Sequence, residues 1–218
     1  MKVKAMILVS SVIVTIVLAL LLGVWTYVGY ATTKDIETPK YEVVNATSDY
    51  EIRLYAPQIR AEVVVEGSYR ESLYGGFRKL ADYIFGNNTA QSKIYMTAPV
   101  LSEKSEKIAM TAPVLHEPQQ GKEAQVVAFV MPSSYTLETL PRPNNNEVVL
   151  RQVPATRYAV HSFSGWATEG RVASRTKKLQ EALARDGVAT TGIPMVAQYD
   201  PPWTPPYMRQ NEILIALD

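Results

Sequence analysis

The feature that most limits how this chain can fold is an order of apolar runs that occurs twice. Tyr50-Glu-Ile-Arg-Leu-Tyr-Ala-Pro57 and Ile59-Arg-Ala-Glu-Val-Val-Val65 read as two strands broken at a proline, which cannot donate to a ladder. A helix follows, since Ser68 and Glu71 have capping-box spacing, Leu73, Phe77, Leu80, Ala81 and Ile84 recur on one face, and Gly86 supplies the stop. The same succession returns in Glu147–Pro154, Arg157–Phe163 and the apolar positions Val172, Leu179 and Leu183 before Gly187, with Pro154 answering to Pro57. The second copy closes with the strand-like Asn211–Leu217. Neither strand–strand–helix unit can bury its sheet face alone, so the two are expected to share one core in an α+β fold. Between them lies a shorter repeat, Lys93-Ile-Tyr-Met-Thr-Ala-Pro-Val-Leu101 and Lys107-Ile-Ala-Met-Thr-Ala-Pro-Val-Leu115, which reads as two extended segments about the polar Ser102–Glu106. Gln125–Met131 is a further strand, and Pro141–Asn146 a loop.

The N-terminus obeys a different rule. No charge occurs from Ala5 to Thr33, and this apolar stretch exceeds the roughly 20 residues that cross a bilayer as a helix. A signal peptide, with Gly29-Tyr30-Ala31 as a poor cleavage site, is the competing reading, but its apolar region normally has only about 7–15 residues. Residues 1–31 are therefore expected to be a transmembrane anchor, 32–40 a polar linker and 41–218 a single domain. Lys2 and Lys4 place the N-terminus in the cytoplasm, and Trp25, Tyr27 and Tyr30 mark the outer interface. The domain then lies across the membrane, which in a bacterial cell is the periplasm.

Composition removes several kinds of chemistry. With no cysteine there is no disulfide framework, thiolate nucleophile, zinc finger or covalent haem attachment. The 22 basic and 21 acidic residues are interspersed, which argues against a nucleic-acid partner. No phosphate-cradling glycine loop, paired metal-binding histidines or nucleophile elbow occurs, so a binding protein rather than an enzyme is expected.

Five motifs, in order, resemble the SOUL/haem-binding protein family: Tyr50-Glu-Ile-Arg53, Gly76-Phe-Arg-Lys-Leu-Ala-Asp-Tyr-Ile84, the two Lys-Ile-x-Met-Thr-Ala-Pro-Val copies, Phe163-Ser-Gly165, and Tyr199-Asp-Pro-Pro202 with Arg209-Gln-Asn-Glu212. The resemblance covers about Tyr41 to the C-terminus. It implies a distorted antiparallel β-barrel built from a duplicated strand-strand-helix-strand unit with two packed helices, related to bacterial effector-binding domains. It also implies non-covalent binding of haem b or another porphyrin, in a buffer, carrier or sensor. A binding module for another apolar small molecule and a membrane-held protein-interaction domain are the alternatives.

In that family the porphyrin lies against the first helix and a C-terminal loop, with helix positions that correspond here to Tyr74, Phe77, Ala81 and Asp82; where the family places basic residues for the propionates this chain has Tyr74 and the repelling Asp82, leaving Arg78 and Lys79 nearby as substitutes. The vertebrate relatives' candidate axial histidine is replaced by Leu54. His161, in a strand, is the remaining imidazole candidate, although a lone strand histidine is more often structural; His116 reads as a loop-edge residue. Met96 and Met110 offer sulfur but read first as core fillers. The proline-rich Tyr199–Tyr207 segment brings Trp203 over a flat ligand or packs as a crossover, and Arg209 with Glu212 reads as an ion pair anchoring it.

Overall fold

The computed structural model describes residues 2–90, 105–119 and 124–218. Helix α1 (Lys2–Thr33) stands apart from the domain for most of its length, with Leu20, Leu21 and Val24 each more than 60 % exposed. The linker leads into β1 (Tyr41–Ala46), β2 (Glu51–Tyr55), β3 (Gln58–Glu66), α2 (Tyr69–Ile84) and β4 (Asn88–Thr89). Then come β5 (Val114–Pro118), β6 (Ala124–Val130), β7 (Arg142–Pro143), β8 (Val149–Val153), β9 (Thr156–Phe163), α3 (Glu169–Arg185), β10 (Met195–Gln198) and β11 (Asn211–Ala216). The expected capping box forms: Ser68 Oγ accepts from the Glu71 amide while the Glu71 carboxylate accepts from the Ser68 amide, 3.2 Å away. Gly86, at φ 127°, ends the helix in a conformation that a side chain would strain.

Nine strands form one curled antiparallel half-barrel in the order β1-β2-β9-β11-β10-β5-β6-β3-β8. Exchanging β2, β3, β5 and β6 for β8, β9, β10 and β11 turns the order from β2 to β8 into its own reverse, with the β10–β5 pair at the centre. The exchange corrects one detail of the sequence repeat. β2 ends at Tyr55 and β3 starts at Gln58, whereas β8 ends at Val153 and β9 starts at Thr156, so Pro57 corresponds to Ala155 rather than to Pro154. A one-residue slip matters because it moves every strand side chain to the other face.

Three apolar clusters follow from this topology. Leu80, Tyr83 and Ile84 of α2 pack on Ala61, Val63, Val127 and Phe129; Leu179, Ala182 and Leu183 of α3 pack on Ala159, Val196, Ile213 and Ile215. The opposite sheet face gathers Tyr55, Leu115, Ala128, Tyr158, Val160, Met195 and Leu214. The second Lys-Ile-x-Met copy supplies Ile108 to the core and leads into β5, and its Met110 is 38 % exposed. The first copy, with Met96, lies largely within 91–104, outside the described residues. The 141–146 stretch, expected to be loop throughout, contains β7, which pairs with β4.

Candidate functional site

Helical periodicity sorts α2 into two faces. Ser72, Gly76, Leu80, Tyr83 and Ile84 are buried, while Tyr74, Arg78 and Asp82 point outward. Phe77 and Ala81 lie at the border, and the Phe77 ring meets Phe129 edge-on at 5.3 Å, so its position is set by the core. Gly76 lets the helix approach β6: a Cβ there would sit 2.5 Å from the Val127 side chain.

The first turns of α2 abut the loop after β9, where the Tyr69 hydroxyl donates to the Ala167 carbonyl at 3.2 Å. Trp166 on this loop is about half exposed, and the Arg209 guanidinium stacks 3.6 Å from its ring centroid. Burial lowers the Arg209 pKa, with Asp200 and Tyr74 acting in the opposite direction, which places Tyr74 within electrostatic reach of the same guanidinium. Arg70 approaches Tyr74 from the other side, 5.7 Å from its ring centroid. The outer face thus holds two exposed aromatic rings served by Arg70 and Arg209, with Arg78 one turn along the helix. Arg209 is itself buried, with Nε and Nη2 given to the Thr204 and Pro202 carbonyls, so it braces Trp166 while Arg70 and Arg78 supply the outward charge; stacking surface and guanidinium donors are what a flat ligand with carboxylate arms requires. Trp166 and Arg209 were not among the residues expected to form the site. The only local hint was that Trp166 follows the Phe-Ser-Gly motif; its neighbours on α2 are far away in sequence.

The other expected residues lie elsewhere. His161 shares a strand face with Ala159 and Phe163, beneath α3, and is 7 % exposed. Its Nδ1 donates to the Asp49 carbonyl at 2.7 Å, and Nε2 has no partner among the described residues. Trp203 faces α1: its Nε1 donates to Thr32 Oγ1 at 3.2 Å, and its carbonyl accepts from Trp25 Nε1 at 2.6 Å. His116 is no loop residue. It lies within β5, 2 % exposed, packed edge-on against Tyr69 and hydrogen-bonded through Nε2 to Ser72 Oγ at 3.1 Å. Ser72 gives its own proton to the Tyr69 carbonyl, so His116 is the donor in that pair, and burial brings its pKa down to about 4.

The expected Arg209–Glu212 pair does not form. Arg209 caps the carbonyls of Thr204 and Pro202, whereas fully buried Glu212 meets Arg53 at 2.9 Å. The Tyr199 hydroxyl donates to Glu212 at 2.6 Å, and Ser162 and Gln210 each donate at 3.2 Å. Burial works against the Arg53 charge, but Glu212, Tyr55 and Glu51 hold the guanidinium above its ordinary pKa. Burial, reinforced by Glu212, raises the Tyr199 pKa well above the usual phenol range. This network ties β2, β9 and β11 to the residue that follows β10.

The family model described as SOUL heme-binding protein matches residues 36–106 and 101–216. Heme-binding protein 2 of Homo sapiens is 27 % identical over 165 residues, covering 72 % of this chain and 74 % of the relative. The protein of the same name from Mus musculus is 27 % identical over 142 residues, 63 % of either chain. Among solved structures, the EcmrR C-terminal domain superposes with a TM-score of 0.52 at 10 % identity, covering 82 % of this chain and 98 % of that one, a likeness of fold alone.

Proposed function

The chain belongs to the SOUL heme-binding protein family, and on that premise we propose that it binds haem or another porphyrin non-covalently at the outer face of α2, as a buffer or carrier held to a membrane by α1. The observation that carries this reading is the position of Arg209, stacked on exposed Trp166 and within reach of exposed Tyr74, on the face where family members were expected to hold their ligand. The rings supply stacking area, and Arg70 and Arg78 add charge for propionates. His161 is a poor axial ligand for a porphyrin there, since it lies beneath α3 rather than on the α2 face. Binding without a protein-supplied imidazole is therefore the expected mode.

Titration of the full-length protein in detergent with hemin should produce a saturable Soret change, weakened at least tenfold by Tyr74→Ala with Trp166→Ala. Hemin binding that ignores the double variant but is lost in His161→Ala moves the site beneath α3, and no saturable change removes the haem reading. A second reading, binding of another apolar small molecule, is favoured by a cavity of about 410 Å³ between the linker and the segment after β6. Pro39, Pro57, Ile59, Met131 and Tyr135 are among its walls, and its size suits a small ligand. Native mass spectrometry showing a co-purified ligand, displaced when Ile59→Trp fills the cavity, would establish it.

A further inference from the structure

The segment between β10 and β11 is an uncharged run, Pro201-Pro-Trp-Thr-Pro-Pro-Tyr-Met208, that lies against the last turns of α1. Trp25 Nε1 donates to the Trp203 carbonyl, Trp203 Nε1 donates to Thr32, and the Tyr207 hydroxyl meets Thr26 Oγ1 at 2.5 Å. Gly29 makes the approach possible, since a Cβ there would sit 2.8 Å from Pro205 Cδ. Despite these contacts, Trp203 and Tyr207 remain 54 % and 57 % exposed.

Two independent features identify what covers them. The first is depth. Lys4 prevents the hydrocarbon-spanning part of α1 from beginning before Ala5, and about 20 residues from there end near Val24. Trp25 and Thr26 then lie in the outer headgroup layer, and a later start or a tilted helix sinks them deeper. Tyr207, bonded to Thr26, lies at the same level. The second is backbone satisfaction. Four prolines bring no amide donor, and each carbonyl from Pro201 to Pro206 accepts a hydrogen bond. The Thr204, Met208 and Arg209 amides bond to Pro201, Pro205 and Pro206. The Arg209 side chain bonds to Pro202 and Thr204, and Trp25 to Trp203. Thr204 Oγ1 is buried without a partner among the described residues, but the pairing of all six carbonyls suits a loop in a poorly hydrated layer better than one that faces water.

We propose that the Pro201–Met208 loop is a second membrane-contacting element of this protein, whose partner is the headgroup layer of the bilayer that α1 crosses and into which Trp203 and Tyr207 insert. This rests on the reading of α1 as a membrane span. The loop and α1 together hold the domain at one height and orientation, as amphipathic rings do at membrane interfaces.

The chain's lack of cysteine permits a clean test in full-length protein reconstituted in phosphatidylcholine vesicles. Nitroxide labels at Val24→Cys, Tyr207→Cys and Lys177→Cys, the last on the exposed face of α3, report collisions with oxygen and with a water-soluble nickel complex. The label at 207 should lose nickel collisions as the label at 24 does, while 177 keeps them. With Tyr207 intact, Trp203 fluorescence, taken as the difference between Trp166→Phe and Trp166→Phe with Trp203→Phe, should be quenched by lipids brominated near the glycerol. Position 24 shielded but 207 freely accessible, with no quenching of Trp203, would overturn the proposal and leave the anchor standing. Nickel access at position 24 as well would overturn the anchor and the proposal with it.

Discussion

The two halves of the domain share a path but not a chemistry. With Ala61 and Val63 of β3 set against Ala159 and His161 of β9, the ladders place Val126 where the second half has Glu212, and pair Arg151 with Arg53 as counterparts. Arg53 meets Glu212 in the interior, whereas Arg151 meets Glu62 at 2.9 Å with its side chain 66 % exposed. On the helix side the asymmetry reverses. His116 of the first half and Val196 of the second face each other across the central strand pair; each half buries one histidine beneath its helix, but His116 bonds to a helix serine, Ser72, whereas His161 bonds to the Asp49 carbonyl. α2 is pressed onto the sheet at Gly76, whereas α3 fully buries Leu179, Ala182 and Leu183, half-buries Val172, Arg175 and Thr176, and exposes Lys177, Lys178, Glu181 and Arg185. Two halves with the same strand order therefore accommodate buried polar groups on opposite faces of the sheet.

The largest expected effect breaks the buried ion pair. Glu212→Ala leaves Arg53 charged and unpaired in the interior and should cost about 3–5 kcal/mol in denaturant unfolding, whereas Glu62→Ala, which unpairs the solvent-exposed Arg151, should cost no more than about 1 kcal/mol. Equal losses would erase the contrast. The next test uses pH. Because burial lowers the His116 pKa from 6.5 to about 4, the unfolded chain takes up that proton first as the solution is acidified. Its contribution is complete above pH 6.5 and is lost between there and about pH 4, a decline on the order of 3 kcal/mol. His116→Val, which copies Val196, should flatten that part of the stability–pH curve.

Smaller effects probe the two helix contacts. Gly76→Ala drives a methyl group into Val127 and should destabilise by about 1–3 kcal/mol. Gly170→Ala in α3, where nothing lies within 4 Å of the added carbon, should instead stabilise by about 0.4–1 kcal/mol by restricting the unfolded chain. Thermal melts of the two variants moving in the same direction would show that α2 is no more tightly seated than α3.

Local rules determined the features whose information is local. The Ser68–Glu71 box and Gly86 set the ends of α2, the uncharged run made α1 a long apolar helix, and helical spacing brought Tyr74 and Arg78 to one outer face. The repeated order of strands and helix was readable in the sequence, but prolines were a poor guide to its register, because they occupy different places in two otherwise equivalent two-residue turns. Tertiary structure alone decided that Glu212 pairs with Arg53, 159 residues away, rather than with nearby Arg209. It also sent Trp203 to Thr32 across 171 residues and brought Trp166 and Arg209 to the α2 face. Such partners follow from strand order and from which face each residue takes. A segment's own pattern can show that a side chain needs a partner, but the assembled sheet decides which one it meets.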